Sequence, residues 1–209
     1  MKIKVCGMRQ RENIEQLVSL NPDYIGFIFH PQSKRYIGNQ LSEEVINLIP
    51  ARILKVGVFV DEPFDSLLEQ YCLNNLDLVQ LHGNEQPEYC DQLQKRGIGV
   101  IKAFKIADDF NFDELKSYES CCDYFLFDTA GDTPGGTGIK FDWRLIHHYK
   151  GDKSFFLSGG IGLSDLQAIR DLTHSKLIAV DVNSAFETEP AVKDISKLNA
   201  FIEGLNTVD

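Results

Sequence analysis

The stretch Ile3-Lys4-Val5-Cys6-Gly7-Met8-Arg9 opens the chain and sets a pattern that the later segments repeat. Its β-branched residues predict a short strand that ends on a thiol, and Gly7 predicts a turn out of that strand. Helical sequence begins at about residue 11. A strand followed by a helix is the unit from which α/β proteins are built.

The same unit recurs along the chain. Further apolar strands are predicted at residues 24–29, 53–60, 78–81, 99–103, 124–128, 155–158 and 177–182. Further helices are predicted at residues 41–49, 63–74, 86–96, 113–118, 142–149, 163–172 and 192–205. Strands that alternate with helices pair in parallel through right-handed crossovers. Eight such units without a Pro-, Gly- or Ser-rich linker predict one α/β domain over residues 1–209, a (β/α)8 TIM barrel of eight parallel strands ringed by helices.

An open, doubly wound sheet is the alternative fold. Such sheets usually have five or six strands, and a Gly-x-Gly-x-x-Gly motif commonly follows their first strand. This chain has eight predicted strands and no such motif after the first one. The barrel is therefore the favoured prediction.

Composition excludes several classes of function. The 209 residues carry a net charge of −10 with no basic block, so neither nucleic acid nor an anionic membrane surface is a suitable partner. We see no apolar run long enough to span a membrane and no secretory signal, so we expect a cytoplasmic protein. The five cysteines lack Cys-x-x-Cys or framework spacing and are predicted to be reduced thiols. No group of residues has metal-ligand spacing, and we predict no metal site.

The carboxyl ends of the strands in a parallel barrel face one mouth, where the active site lies. Cys6 ends the first strand and Asp128 ends the sixth, so the two side chains are candidates for an acid–base pair. A free thiol with a pKa near ~8.5 needs only modest tuning to act as a base. An aspartic acid that donates a proton at neutral pH needs a raised pKa.

Other residues at the same predicted mouth suit an anionic ligand. Gly159 and Gly160 follow the seventh strand, and a second patch follows the eighth strand from Asp181. In barrels these two loops commonly hold a phosphate on backbone N–H groups. Arg35, in the loop after the second strand, is a candidate clamp for a carboxylate. The glycine-rich residues 135–138 are predicted to form a lid.

Short motifs in a fixed order extend this pattern over nearly the whole chain. They are Val5-Cys6-Gly7-Met8, Gly26-Phe27-Ile28-Phe29, Ser33-Lys34-Arg35-Tyr36-Ile37, Val56-Gly57-Val58-Phe59, Gln80-Leu81-His82-Gly83, Phe127-Asp128-Thr129, Gly135-Gly136-Thr137-Gly138, Ser158-Gly159-Gly160 and Asp181-Val182-Asn183-Ser184. Together they closely resemble the phosphoribosylanthranilate isomerase family of tryptophan biosynthesis, whose members are small single-domain (β/α)8 barrels without cofactor or metal.

The resemblance implies an Amadori rearrangement of N-(5-phosphoribosyl)anthranilate. It implies that Cys6 is the general base and Asp128 the general acid. The remaining roles that it implies are a carboxylate clamp at Arg35, an anthranilate pocket at Gln80 and His82, and phosphate binding at Gly159, Gly160, Asn183 and Ser184. Many relatives have Ser-Ser-Gly at 183–185, where this chain has Asn-Ser-Ala. That change matters only if the third residue needs a positive φ.

Rival functions remain open from the residues alone. The chain resembles other sugar-phosphate barrels less well: an epimerase needs metal ligands at several strand ends, and an indole-glycerol-phosphate synthase needs a lysine acid and a longer N-terminus. Lys55 and Lys102 leave the second of these open. A catalytically silent or different-chemistry sugar-phosphate-binding barrel is the alternative. We predict a small phosphorylated substrate and either a monomer or a homodimer.

Overall fold

Eight parallel strands close into a barrel in chain order, with the first strand paired to the last. The computed structural model describes residues 1–129 and 141–206. The barrel strands are β1 (Lys2–Val5), β2 (Tyr24–Ile28), β3 (Leu54–Phe59), β4 (Leu78–Leu81), β5 (Gly99–Ile106), β6 (Tyr124–Thr129), β7 (Phe155–Leu157) and β8 (Leu177–Val182). The closed sheet confirms the predicted barrel and excludes the open doubly wound sheet.

Helices surround the barrel. They are α1 (Arg11–Ser19), α2 (Glu43–Leu48), α3 (Phe64–Leu73), α4 (Pro87–Gln94), α5 (Leu166–Asp171) and α6 (Ile195–Asn206). The Ser42 side chain caps α2, because it accepts a hydrogen bond from the Val45 N–H. Within the described ranges, no helix has the length and apolar character needed to cross a membrane.

Three predicted helices differ from the observed elements. The segments predicted at residues 113–118 and 142–149 form 3₁₀ segments, Phe112–Tyr118 and Trp143–His148. The segment predicted at 163–172 starts as a 3₁₀ turn, Leu163–Asp165, before α5 begins. Each is short, and an α-helix of fewer than about 12 residues depends on packing more than on its own propensity. Local sequence therefore could not decide between the two helix types.

A small hairpin after the barrel was not predicted. Strand β9 (Glu187–Glu189) pairs in antiparallel fashion with β10 (Val192–Lys193), and the turn between them has Ala191 at φ 68°. The predicted final helix at 192–205 was therefore wrong at its start, because residues 192–193 are used in the hairpin. The hairpin carries two charged side chains, Glu187 and Lys193, toward the mouth of the barrel.

The apolar core has two parts, one outside the barrel strands and one inside the barrel. The larger part packs between the strands and the surrounding helices. The smaller part fills the barrel interior and consists of Tyr24, Val56, Ile101, Ala103, Leu126, Phe156 and Ala179. Beyond this interior plug the strands present polar side chains such as Lys4, Gln80 and Asp181. The carboxyl end of the barrel is therefore the polar end.

Candidate active site at the barrel mouth

A cavity of about 560 Å³ opens at the carboxyl ends of the strands. Its lining includes all nine residues predicted as site residues: Cys6, Arg35, Gln80, His82, Asp128, Gly159, Gly160, Asn183 and Ser184. They come from six different strand ends or the loops that follow them, so the barrel topology brings them together. The predicted lid at residues 135–138 lies outside the described residues.

Cys6 sits in a tightly packed position just beyond the end of β1. Its backbone N–H donates to the Val182 carbonyl over 2.9 Å. A Cβ atom added to Gly26 would lie 2.7 Å from the Cys6 sulfur, so the neighbouring strand gives this thiol its space. Below it, Lys4 forms a buried ion pair with Asp181, with 2.9 Å between Nζ and Oδ1.

Burial raises the pKa of Cys6, and the positive charge of Lys4 only partly opposes this rise. Burial therefore moves the pKa of this thiol away from the range that suits a base, and the modest tuning stays a prediction. Lys4 acts on Cys6 through both its charge and a hydrogen bond. The buried lysine thus stabilises the thiolate once the proton has left.

Three side chains form a hydrogen-bonded chain that ends at Asp128. The Gln80 amide nitrogen lies 2.9 Å from His82 Nδ1, and His82 Nε2 lies 3.2 Å from Asp128 Oδ2. With the amide nitrogen donating, Nδ1 accepts, so the ring proton of neutral His82 lies on Nε2 and points at the carboxylate. The Thr129 N–H also donates to Asp128, over 2.9 Å.

These donors set the charge of Asp128. Burial alone would raise its pKa, but the hydrogen bonds from His82 and from the Thr129 N–H outweigh burial and lower it. The protein groups alone thus shift the pKa of Asp128 in the direction opposite to the one that a general acid needs, and the raised pKa stays a prediction. In this state the thiol of Cys6 holds a proton and Asp128 is ionised, which is the reverse of the order needed for a thiolate base and a carboxylic acid.

Arg35 is held in place by a carboxylate that the sequence pattern did not indicate. Its Nε and Nη2 atoms donate to both oxygens of Glu187, over 2.8 and 2.6 Å. Lys193 donates to Glu187 Oε1 and to Asn183 Oδ1, each over 2.6 Å. Burial would raise the pKa of Glu187, but Arg35 and Lys193 lower it. The third guanidinium nitrogen of Arg35, Nη1, takes no part in the two hydrogen bonds to Glu187.

The two predicted phosphate loops have different backbones. Gly159 and Gly160 have φ of 96° and 68°, and a Cβ at Gly159 would collide with Thr129, so this loop needs glycine. After β8, Ser184 begins a one-turn 3₁₀ segment, Ser184–Phe186, that includes Ala185 without a positive φ. The alanine therefore introduces no backbone strain at position 185.

Several charged residues at the mouth were not assigned a role from the sequence. Lys102 is buried and donates to the Gly83 carbonyl over 2.8 Å and to Glu85 over 3.1 Å. Lys55 lies near the amino-terminal end of β3, away from the mouth, and pairs there with Asp77. Lys4 and Asp181 carried a signal, since each interrupts an apolar strand at an inward position. Glu187 and Lys193 carried none.

Comparison with known proteins identifies the family. The sequence model described as N-(5'phosphoribosyl)anthranilate (PRA) isomerase matches residues 3–204. The chain is 46% identical to N-(5'-phosphoribosyl)anthranilate isomerase of Parabacteroides distasonis, over 97% of this chain and 92% of that protein. The crystal structure of phosphoribosyl anthranilate isomerase from Thermotoga maritima matches with a TM-score of 0.88 and 32% identity, over 100% of each chain. A phosphoribosyl anthranilate isomerase in complex with reduced 1-(o-carboxyphenylamino)-1-deoxyribulose 5-phosphate matches with a TM-score of 0.84 and 31% identity, over 100% of each chain. This chain therefore belongs to the N-(5'-phosphoribosyl)anthranilate isomerase family.

Proposed function

We propose that this chain converts N-(5-phosphoribosyl)anthranilate to 1-(2-carboxyphenylamino)-1-deoxyribulose 5-phosphate, with Cys6 as the general base and Asp128 as the general acid. One observation carries the assignment. A thiol after β1 and a carboxylate on β6 line the same cavity, between a cationic side at Arg35 and a glycine loop at 159–160. A substrate with a carboxylate at one end and a phosphate at the other fits that polarity.

The reaction begins with two proton transfers, one by each of these side chains. Asp128 gives a proton to the ribose ring oxygen, the bond from that oxygen to C1 breaks, and the nitrogen lone pair forms a C1–N double bond. The Cys6 thiolate then removes the proton from C2, and the electron pair forms a C1–C2 double bond that neutralises the nitrogen. The resulting enolamine takes a proton at C1 and gives up the proton of its C2 hydroxyl group, which leaves the C2 ketone. Atoms and electrons balance without a redox partner.

We infer that Asp128 receives the proton that it donates from the Cys6 thiol. Cys6 holds a proton and Asp128 does not, so moving one proton between them creates the active pair. A bound substrate displaces water and brings negative charge, which raise the pKa of Asp128 and of Cys6 alike, so the transfer depends on a group that favours the thiolate. Lys4 stabilises the thiolate left behind.

Substrate orientation follows from groups at the two ends of the cavity. Arg35, preset by Glu187, binds the anthranilate carboxylate through its remaining nitrogen. The loops at 159–160 and 183–184 bind the phosphate through backbone N–H groups. Gln80 Oε1 is buried and accepts no hydrogen bond from the described residues. This oxygen is available to a donor on the substrate, such as the anthranilate N–H.

Turnover of freshly generated phosphoribosylanthranilate tests the proposal, followed by loss of anthranilate fluorescence. We expect wild-type enzyme to act well above the uncatalysed decay, and Cys6→Ser and Asp128→Asn each to lower kcat by ~10² or more. Cys72→Ser removes an exposed thiol and serves as the control, with unchanged turnover expected. Wild-type turnover no faster than background would contradict the function. Full activity in either site variant would contradict that residue's role.

Location and assembly belong to the same proposal. We infer a cytoplasmic enzyme that works as a monomer or a homodimer on a small phosphorylated substrate, without a nucleic-acid or membrane partner. A phosphoribosylanthranilate isomerase from Thermotoga maritima is described as dimeric, which supports the second assembly. Light scattering across a range of concentrations distinguishes the two states.

A further inference from the structure

Three cysteines outside the cavity converge on one point. Cys90 lies in the first turn of α4, and Cys121 and Cys122 lie in the turn that leads into β6. All three are buried, and their sulfur atoms lie within 4.8 Å of one another. Sequence spacing gave no sign of this thiol cluster, because two separate segments build it only when the chain folds.

The arrangement of this cluster differs from ordinary packing of buried cysteines. Adjacent residues commonly direct their side chains apart, yet both Cys121 and Cys122 bring their sulfurs to Cys90. The Cys121 thiol donates to the Tyr118 carbonyl over 3.5 Å.

We propose that Cys90, Cys121 and Cys122 form a three-sulfur site for a soft monovalent metal ion, Cu(I) in particular. Thiolates select soft ions, and no other donor from His, Asp or Glu joins the cluster among the described residues. Zn²⁺ prefers four ligands in structural sites, so three sulfurs alone suit it poorly. A metal–sulfur distance of about 2.3 Å in a trigonal site places the sulfurs ~4.0 Å apart, which requires contraction by less than ~1 Å.

Binding releases protons and leaves the oxidation state unchanged. Three sulfur–metal bonds form, each thiol proton leaves for solvent, and copper stays Cu(I). The product carries excess negative charge in a buried place. Lys102 and Glu85, an ion pair with 3.1 Å between Nζ and Oε2, both act on the Cys90 sulfur. Cys121 is 3% exposed while Cys90 and Cys122 are fully buried, so the ion reaches the cluster from the side of Cys121.

Anaerobic titration of the reduced protein with Cu(I), delivered from its bicinchoninate complex, tests the site. We expect one equivalent of Cu(I) per chain, ultraviolet absorption from sulfur-to-copper charge transfer, and X-ray absorption that shows three sulfur neighbours. Cys121→Ala and Cys122→Ala are expected to lose that equivalent. Cys6→Ser and Cys72→Ser are the matched controls, because they remove thiols elsewhere and should keep it.

Four outcomes would overturn the proposal. The first is Cu(I) binding that disappears in Cys6→Ser, which places the ion in the cavity instead. The second is tighter binding of Zn²⁺ than of Cu(I). The third is a loss of two hydrogens on mild oxidation without metal uptake, which indicates a disulfide pair. The fourth is absence of copper–sulfur absorption from the wild-type protein, which needs no variant to fold.

Discussion

At Gly26 the backbone of β2 passes so close to Cys6 that any side chain would displace the thiol. Gly26→Ala places a Cβ 2.7 Å from the sulfur. We expect kcat to fall by ~10-fold to 10²-fold, since a misplacement of about 1 Å has effects of this size. Overpacking should also lower the free energy of unfolding by ~1–3 kcal/mol. Steady-state kinetics and urea unfolding measure the two effects.

Gly57→Ala is the matched control for that substitution. Gly57 lies on the neighbouring strand, but its Cβ would collide with Leu76 and Phe59 in the outer core. We expect a similar loss of stability with kcat unchanged. Equal losses of kcat in both variants would mean that Gly26 acts through general stability and does not act through the position of the thiol.

His82 sets the ionisation of Asp128. In the wild type the pKa of Asp128 lies below its usual 3.8, so the carboxylate stabilises the fold above that pH and loses this effect as the pH falls through the lowered pKa. His82→Phe keeps a ring, removes the donor and leaves burial dominant. We therefore expect the pKa of Asp128 to rise, by about one unit for each 1.4 kcal/mol of interaction lost. A ¹³C NMR titration of the aspartate carboxyl groups measures it.

Arg144→Gln provides the comparison, because it removes the partner of Asp142 on the exposed surface. The pKa of Asp142, about 2 in the wild type, should rise in that variant while the pKa of Asp128 stays lowered. An unchanged pKa of Asp128 in the His82 variant would mean that backbone donors alone keep it ionised.

The sequence could predict most site residues, for a physical reason. Cys6, Asp128 and Gly159 interrupt or end apolar strands, and the carboxyl ends of parallel strands meet at one mouth. Their protonation could not be predicted, because it depends on how Lys4 and His82 lie relative to them. The charge of a buried group is a property of its neighbours in space.

The β9–β10 hairpin positions the cationic side of the cavity. Glu187 joins Arg35 and Lys193 in a largely buried network, with 6% of the Glu187 side chain exposed. Glu187→Gln leaves two cations without their counter-charge. We expect the free energy of unfolding to fall by ~3–5 kcal/mol, as for other buried pairs that lose one partner. Urea unfolding at constant pH measures this change.

Glu44→Gln is the control for the hairpin variant Glu187→Gln. Glu44 pairs with Arg11 on the surface, where the two side chains are 70% and 53% exposed. An exposed pair contributes ~0–1 kcal/mol, so the control should unfold almost as the wild type does. A loss in Glu187→Gln no larger than in the control would show that the hairpin network does not stabilise the fold.

Strands were predicted more accurately than helices at the scale of elements. Strands β4 and β8 begin and end as predicted, because fully buried parallel strands are continuous apolar runs. The hairpin was missed because Glu187–Glu189 and Val192–Lys193 are too short and too polar to show a strand pattern. The residue with the left-handed backbone conformation in this turn is Ala191, so no glycine marks the turn in the sequence.

Net charge predicts a salt effect for the whole molecule. The chain carries −10 while the proposed substrate is also anionic, so the long-range field repels the substrate and only local cations attract it. Added NaCl shortens the Debye length from about 30 Å at 0.01 M to about 8 Å at 0.15 M. We expect kcat/KM to rise a few fold over this range with kcat unchanged, in phosphate-free buffer. A steep fall in kcat/KM with added salt would instead show that the cations around the cavity, and not the net charge, govern the approach of the substrate.

Domain organisation also belongs to this scale. The prediction of one domain over residues 1–209 stays a prediction. The closed pairing of all eight strands supports it, since a barrel cannot be divided without leaving open sheet edges.

The pairing of β1 with β8 has a consequence for how the enzyme comes into being. Residues 2–5 lie beside residues 179–182, so β1 finds this neighbour only after the more than 170 residues between them have been made. Until then Cys6 has no Val182 carbonyl to bind and no Lys4–Asp181 pair beneath it. Contacts so distant in sequence form late and slowly. The surroundings of the Cys6 thiol are therefore complete only when β1 and β8 pair, so closing the barrel and building this end of the cavity are one event.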